Sequence, residues 1–164
     1  MARTDMVVLE QDYTRFSAIL HELRAEANAR FAFLLDKNGQ QIASDGQLED
    51  VDPTALASLT AGNVAATEGL AQLIGENEFS ALLHEGKNEN LHVSVVSTKV
   101  ILLVIFNEHS SLGLVRLRVQ QFTPKLARIV DEMLNRDADS ADPIGAAAAA
   151  FSEITDEDID ALFG

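Results

Sequence analysis

The run Val100 to Phe106 reads VILLVIF, seven apolar side chains in succession. Successive side chains of a strand point to opposite faces, so a strand this apolar has to be covered on both sides. The run is far short of the roughly 20 residues needed to cross a bilayer, and no other stretch approaches that length. The chain must therefore build a sheet with packed layers above and below.

The neighbouring sequence supplies the rest of that sheet. Leu91, Val93 and Val95 alternate with His92 and Ser94, the pattern of a strand from Leu91 to Ser97 with one buried face, and Thr98-Lys99 turns it into VILLVIF. Phe79 to Glu85 reads as another strand, set off by GKNEN. Earlier, FAFLL from Phe31 to Leu35 runs into Asp36-Lys37-Asn38-Gly39, where an Asn-Gly pair predicts a hairpin. The returning strand is Gln40 to Ser44, closed by Asp45-Gly46.

Helices fill the intervals. Between Asp12 and Ala27, Phe16, Ile19, Leu20, Leu23 and Ala27 fall at the spacing of a one-sided helix. A second helix starts at Asp52-Pro53, where the aspartate can cap free amides and proline loses no hydrogen bond, and leaves at Gly75 and Asn77. A third spans roughly Ser110 to Asn135, with Leu112, Val115, Val119, Phe122, Leu126, Ile129 and Met133 on one stripe. Pro124 interrupts it, giving either one kinked helix or two in near succession. The order is α-β-β-α-β-β-β-α, an α/β fold of the α+β kind with a five-stranded antiparallel sheet between helices.

A length of 164 residues allows one domain and a tail. The domain is expected over residues 8–136, a flexible linker over 137–154 and a short acidic amphipathic helix over 155–164. After Arg136 come eight acidic residues and no lysine or arginine, which makes the tail electrostatically distinct. The net charge of −14 argues against nucleic acid or an anionic membrane as principal partner, and no membrane insertion is expected. With no cysteine, disulfides and thiolate metal sites are excluded. MARTDMVVLEQDY lacks the apolar core of a secretory signal, so a cytoplasmic location is expected.

Catalytic motifs are missing. His21, His84, His92 and His109 show no metal-ligand spacing and read as ordinary sheet and loop histidines; no metal and no cofactor are expected. There is no Walker loop, GxGxxG or GxSxG. Arg116 and Arg118 have the chemistry of arginine fingers for a GTPase, but exposed positions on an amphipathic helix account for them more simply. Asp156, Glu157, Asp158 and Asp160 lack the glycine and spacing of a calcium loop and suit the positive end of a helix dipole.

The second helix is the unusual element. Between Asp52 and Glu76 its only ionisable side chain is Glu68. At 100° per residue, Leu56, Leu59, Asn63, Ala66, Leu70, Leu73 and Ile74 share one face, expected to pack on the sheet. The other face, with Ala57, Ser58, Ala61, Val64, Ala65, Glu68, Gly69, Ala71 and Gln72, is expected to point outward. Small neutral side chains there suit the close approach of another backbone, whether a second copy or another protein. An alanine-rich exposed helix is the plainer alternative.

The segments DKNGQ, SLTAGNVAATEGLAQLIGENEF, HEG, VILLVIF and SSLGLVRLRV, together in this order, resemble the Roadblock/LC7 superfamily, whose fold is profilin-like. The likeness runs over about residues 8 to 136, with Pro124 as a departure. It implies a homodimer joined through a continuous sheet, with the two middle helices side by side as the docking face for a bacterial Ras-like GTPase of the MglA type. It implies activation of GTP hydrolysis, by holding the GTPase's own switch residues in place rather than by an arginine finger, and a role at a cell pole in polarity and gliding motility. Carried onto this chain, the docking positions are Ala61, Val64, Ala65, Glu68, Gly69 and Gln72. In the tail, Ile159, Leu162 and Phe163 share one face of a helix capped by Thr155, expected to meet the GTPase and promote nucleotide exchange; a solubilising acidic end with no partner is the alternative. A non-catalytic scaffold of the same fold, or a small-molecule sensor, are the alternatives; for the latter Asn63 is the one evident polar residue toward the core.

Overall fold

The computed structural model describes residues 6–139. The described residues divide into two units, Val8–Asp131 and a second that contains residues 6–7 and 132–139. In the second, Arg136 donates to the Val7 carbonyl at 3.3 Å, and the Val7 amide meets Asp137 Oδ2 at 3.5 Å. The tail positions Thr155, Ile159, Leu162 and Phe163 lie outside the described residues, as does the linker beyond residue 139.

The elements follow the expected order: α1 (Glu10–Ala27), β1 (Phe31–Asp36), β2 (Gln41–Gly46), α2 (Pro53–Leu73), β3 (Ala81–Glu85), β4 (Asn90–Ser97), β5 (Val100–Phe106) and α3 (Leu112–Asp139). One sheet runs β2-β1-β5-β4-β3, antiparallel at every pair. VILLVIF is its central strand, buried at every residue. β1 beside it is equally buried.

Local chemistry sets the boundaries. The Leu9 amide donates to Asp12 Oδ2 at 3.0 Å and starts α1; Asn28, at φ 54°, ends it in the left-handed conformation common after a helix. In the β1–β2 turn, Asp36 Oδ1 accepts from the amides of Asn38 and Gln40, both at 2.9 Å. Gly39 follows at φ +87°, and a Cβ there would stand 3.2 Å from the Ser58 Cα of α2. The turn thus needs glycine for both its conformation and its clearance. Asp52 accepts from the Thr54 amide at 3.0 Å and opens α2 ahead of Pro53.

Some expectations shift at their ends: β2 runs on to Gly46, past the expected end at Ser44. β3 starts at Ala81, leaving Phe79 before the strand. α3 is a single helix through Pro124 and runs to Asp139, beyond the expected end near Asn135. Proline removes only one amide from the ladder, and Thr123 Oγ1 donates to the Val119 carbonyl at 2.6 Å in the same turn.

Alternation assigns the two sheet faces. Phe31, Phe33, Leu35, Val93, Ile101, Leu103 and Ile105 form one cluster with Ala57, Ala61 and Val64 of α2. Ala32, Leu34, His92, Ser94, Leu102 and Val104 are also buried and, by the period of two, point to the opposite side.

Candidate protein-docking face

α2 lies on the sheet by its small residues. Ala57, Thr60, Ala61, Val64 and Ala71 are its buried positions, and Thr60 Oγ1 is satisfied by the Leu56 carbonyl at 2.7 Å. Leu59, Leu70, Leu73 and Ile74 stand 75%, 59%, 84% and 67% exposed. The helix is therefore turned the other way from the expectation that put those side chains on the sheet. The strands beneath already present Phe31, Phe33, Ile101, Leu103 and Ile105, so a helix bearing alanines and a valine fills the remaining space at close range.

This orientation divides the six expected docking positions. Ala61 and Val64 are 8% and 5% exposed and belong to the sheet contact, so their side chains are not available to a partner in this conformation. Ala65, Gly69 and Gln72 are exposed along one flank of the helix, and Glu68 is half-buried at its foot, where its Oε1 is 2.6 Å from Lys37 Nζ. A Cβ at Gly62 or Gly69 would meet nothing within 4 Å, so packing inside this chain does not require glycine at either position.

The two exposed strips of α2 look toward different parts of the sheet. At 100° per residue, Leu70 and Ile74 stand on the side of Thr67, which shares a recess with Phe79 and Leu82 next to the β3 edge. Ala65, Gly69 and Gln72 turn to the side of Ser58, which touches the β1–β2 turn. β3 itself is an edge strand, with Ala81, Leu83, His84 and Glu85 exposed. The apolar outer side of α2 and an unpaired strand edge therefore adjoin, while the neutral flank stands apart from them.

The signal for the leucine strip was present in the sequence. α2 is apolar or neutral around its whole circumference, and such a helix is one whose every side is to be covered. Covering an exposed leucine is worth roughly 1.5–3 kcal/mol, so the strip favours a partner surface. Arg116 and Arg118 sit on α3, away from α2; Arg118 donates to Gln121 Oε1 at 2.8 Å along its own helix. Among the described residues, no helix is long and apolar enough to cross a membrane.

Comparison with known proteins gives the same architecture a family. The Roadblock/LC7 domain model matches residues 16–106. A solved structure of Myxococcus xanthus MglB is 49% identical, with a TM-score of 0.73 over 77% of this chain and 96% of that one. The gliding protein MglB from Thermus thermophilus is 34% identical, with a TM-score of 0.72 over 78% of this chain and 97% of its own. An MglB structure described as having a tetrameric arrangement is 33% identical, with a TM-score of 0.74 over 79% and 97%. No curated protein matches significantly. On the sheet order β2-β1-β5-β4-β3, the family match and these three likenesses, the chain belongs to the Roadblock/LC7 domain family.

Proposed function

We propose that the protein is a homodimeric regulator of a Ras-like GTPase of the MglA type, and that it stimulates GTP hydrolysis without supplying a catalytic side chain. The observation that carries this reading is the pair of exposed strips on α2. The leucine strip beside the unpaired β3 edge suits a second copy: strand pairing would satisfy the edge amides and carbonyls while Leu59, Leu70 and Leu73 are covered. The flank of Ala65, Gly69 and Gln72, with Glu68 at its foot, then remains for the GTPase. It is narrow, neutral and free of acids, bases and nucleophiles, apart from Glu68.

The mechanism follows from that chemistry. A surface without a reactive group accelerates hydrolysis only by binding the catalytically competent arrangement of the GTPase better than the alternatives. Small side chains let the partner's switch segments approach closely, and Gly62 and Gly69 leave room where a Cβ would otherwise project. The similarity to Myxococcus xanthus MglB supports the choice of GTPase class. Within this reading the acidic tail, through Ile159, Leu162 and Phe163, binds the GTPase and promotes nucleotide release, with polarity and gliding motility as the process served. Multiple-turnover GTP hydrolysis by an MglA-type GTPase, with and without this protein, tests the proposal. Removal of residues 140–164 separately tests the tail, by the release rate of a fluorescent GDP analogue.

A further inference from the structure

A second feature lies on the sheet face opposite α2. Between β4 and α3 is an open recess of about 440 Å³, with Ser94 and His92 in its floor and Arg116, Gln120 and Thr123 on its α3 side. That volume falls within the roughly 300–1,000 Å³ of pockets that hold small molecules. Val119, Ala81 and Pro124 supply its apolar wall.

The floor is polar and incomplete. His92 and Ser94 are 3% and 7% exposed, and His92 Nδ1 and Ser94 Oγ have no hydrogen-bond partner among the described residues. A buried polar atom without a partner is costly, and each such atom in a folded protein calls for something that satisfies it. Arg116 contributes a guanidinium that forms no ion pair with any described residue, and none of the lining residues is acidic. In a protein of net charge −14, a recess walled by a cation and hydroxyls with no carboxylate selects for an anion.

We propose that this recess binds small organic carboxylates, the carboxylate on Arg116 and the oxygen-bearing end reaching the floor at Ser94 and His92. Arginine pairs with a carboxylate through parallel N–H donors, and a short hydrocarbon body fits the wall of Ala81 and Val119. Zwitterionic amino acids are disfavoured, because nothing in the lining compensates an ammonium group. Burial, and then the Arg116 charge, hold His92 below its ordinary value, so the ring is neutral near pH 7 and offers one donor and one acceptor. The site lies on the sheet face opposite α2, and its Ala81 belongs to the β3 edge strand that pairs in the proposed dimer.

The test is a titration of the full chain with sodium butyrate, followed by amide and histidine-ring NMR at ionic strength matched with sodium chloride. Butylammonium chloride serves as the charge-reversed control. Butyrate should give saturable shifts centred on Ser80, His92, Ser94 and Gln120, and should raise the His92 pKa, because a nearby anion favours the imidazolium. Butylammonium should give none. Arg116→Gln, on an exposed helical position, should weaken butyrate by about tenfold, and Arg116→Lys should retain part of the affinity. Non-saturable or scattered shifts, or shifts unchanged in Arg116→Gln, would overturn the proposal.

Discussion

Lys37 Nζ lies 2.6 Å from Glu68 Oε1 and ties the β1–β2 turn to the one charged residue of α2. The two side chains are 34% and 43% exposed, so the pair is worth less than about 1 kcal/mol. Glu68→Gln is accordingly expected to move the unfolding free energy by less than about 1 kcal/mol while weakening GTPase binding by more than that. Denaturant unfolding and a binding titration on the same preparation compare the two. A loss confined to stability would make Glu68 an anchor for the turn and remove it from the docking flank.

Glycine at Gly69 gives a sharper separation of fold and docking. Its Cβ position is open, so Gly69→Ala should raise the stability of the free protein by roughly 1 kcal/mol through helix propensity alone. The same methyl group projects from the proposed contact, and GTPase affinity should fall. The denaturation midpoint and the binding constant should therefore move in opposite directions; a parallel rise would place the contact elsewhere.

In the proposed dimer the leucine strip of α2 is the buried surface. Leu70→Asp puts a charge at a position that is 59% exposed in the single chain, so a monomer should tolerate it within about 0.5 kcal/mol. A dimer should not, because the charge would be buried without a partner. Light scattering at micromolar concentration should report about twice the chain mass for the parent and the chain mass for the variant. An unchanged mass in the variant would move the interface off this strip.

The orientation of α2 shows what the sequence could and could not convey. The central strand, the hairpin at Asn38-Gly39, the cap at Asp52 and the order of elements follow from local pattern, and the structure has them all. The face of α2 did not follow. Ranking by hydrophobicity put Leu59, Leu70 and Leu73 on the sheet, whereas Ala57, Ala61 and Val64 are the residues that fit over Phe31, Phe33 and Leu103. A helix apolar on two sides has two destinations, and size complementarity with the layer beneath decides which side faces inward. For the same reason the recess at His92 was not legible: the strand pattern set His92 and Ser94 on the outer side of β4, and only the sheet order and the path of α3 bury them.

Burial of His92 also gives the protein a pH dependence of known sign. Its folded pKa is lowered from 6.5, first by desolvation and then by Arg116. Below about 6.5 the unfolded chain takes up a proton that the folded state resists, so this contribution to stability is complete above that pH. It is lost progressively as pH falls through the folded pKa, with a slope of at most about 1.4 kcal/mol per unit. His92→Gln should flatten the fall in unfolding free energy below about pH 6.5. Identical slopes for parent and variant would assign the fall to other groups.

Hydrolysis measured under multiple turnover bears most directly on the central claim. An MglA-type GTPase loaded with GTP should turn over at least about tenfold faster with this protein, a barrier lowered by roughly 1.4 kcal/mol. The double variant Ala65→Arg, Gly69→Arg should abolish that gain, since two bulky charges on the neutral flank block close approach, while light scattering still reports the dimer. Equal rates with and without the protein, or full stimulation by the double variant, would contradict the account.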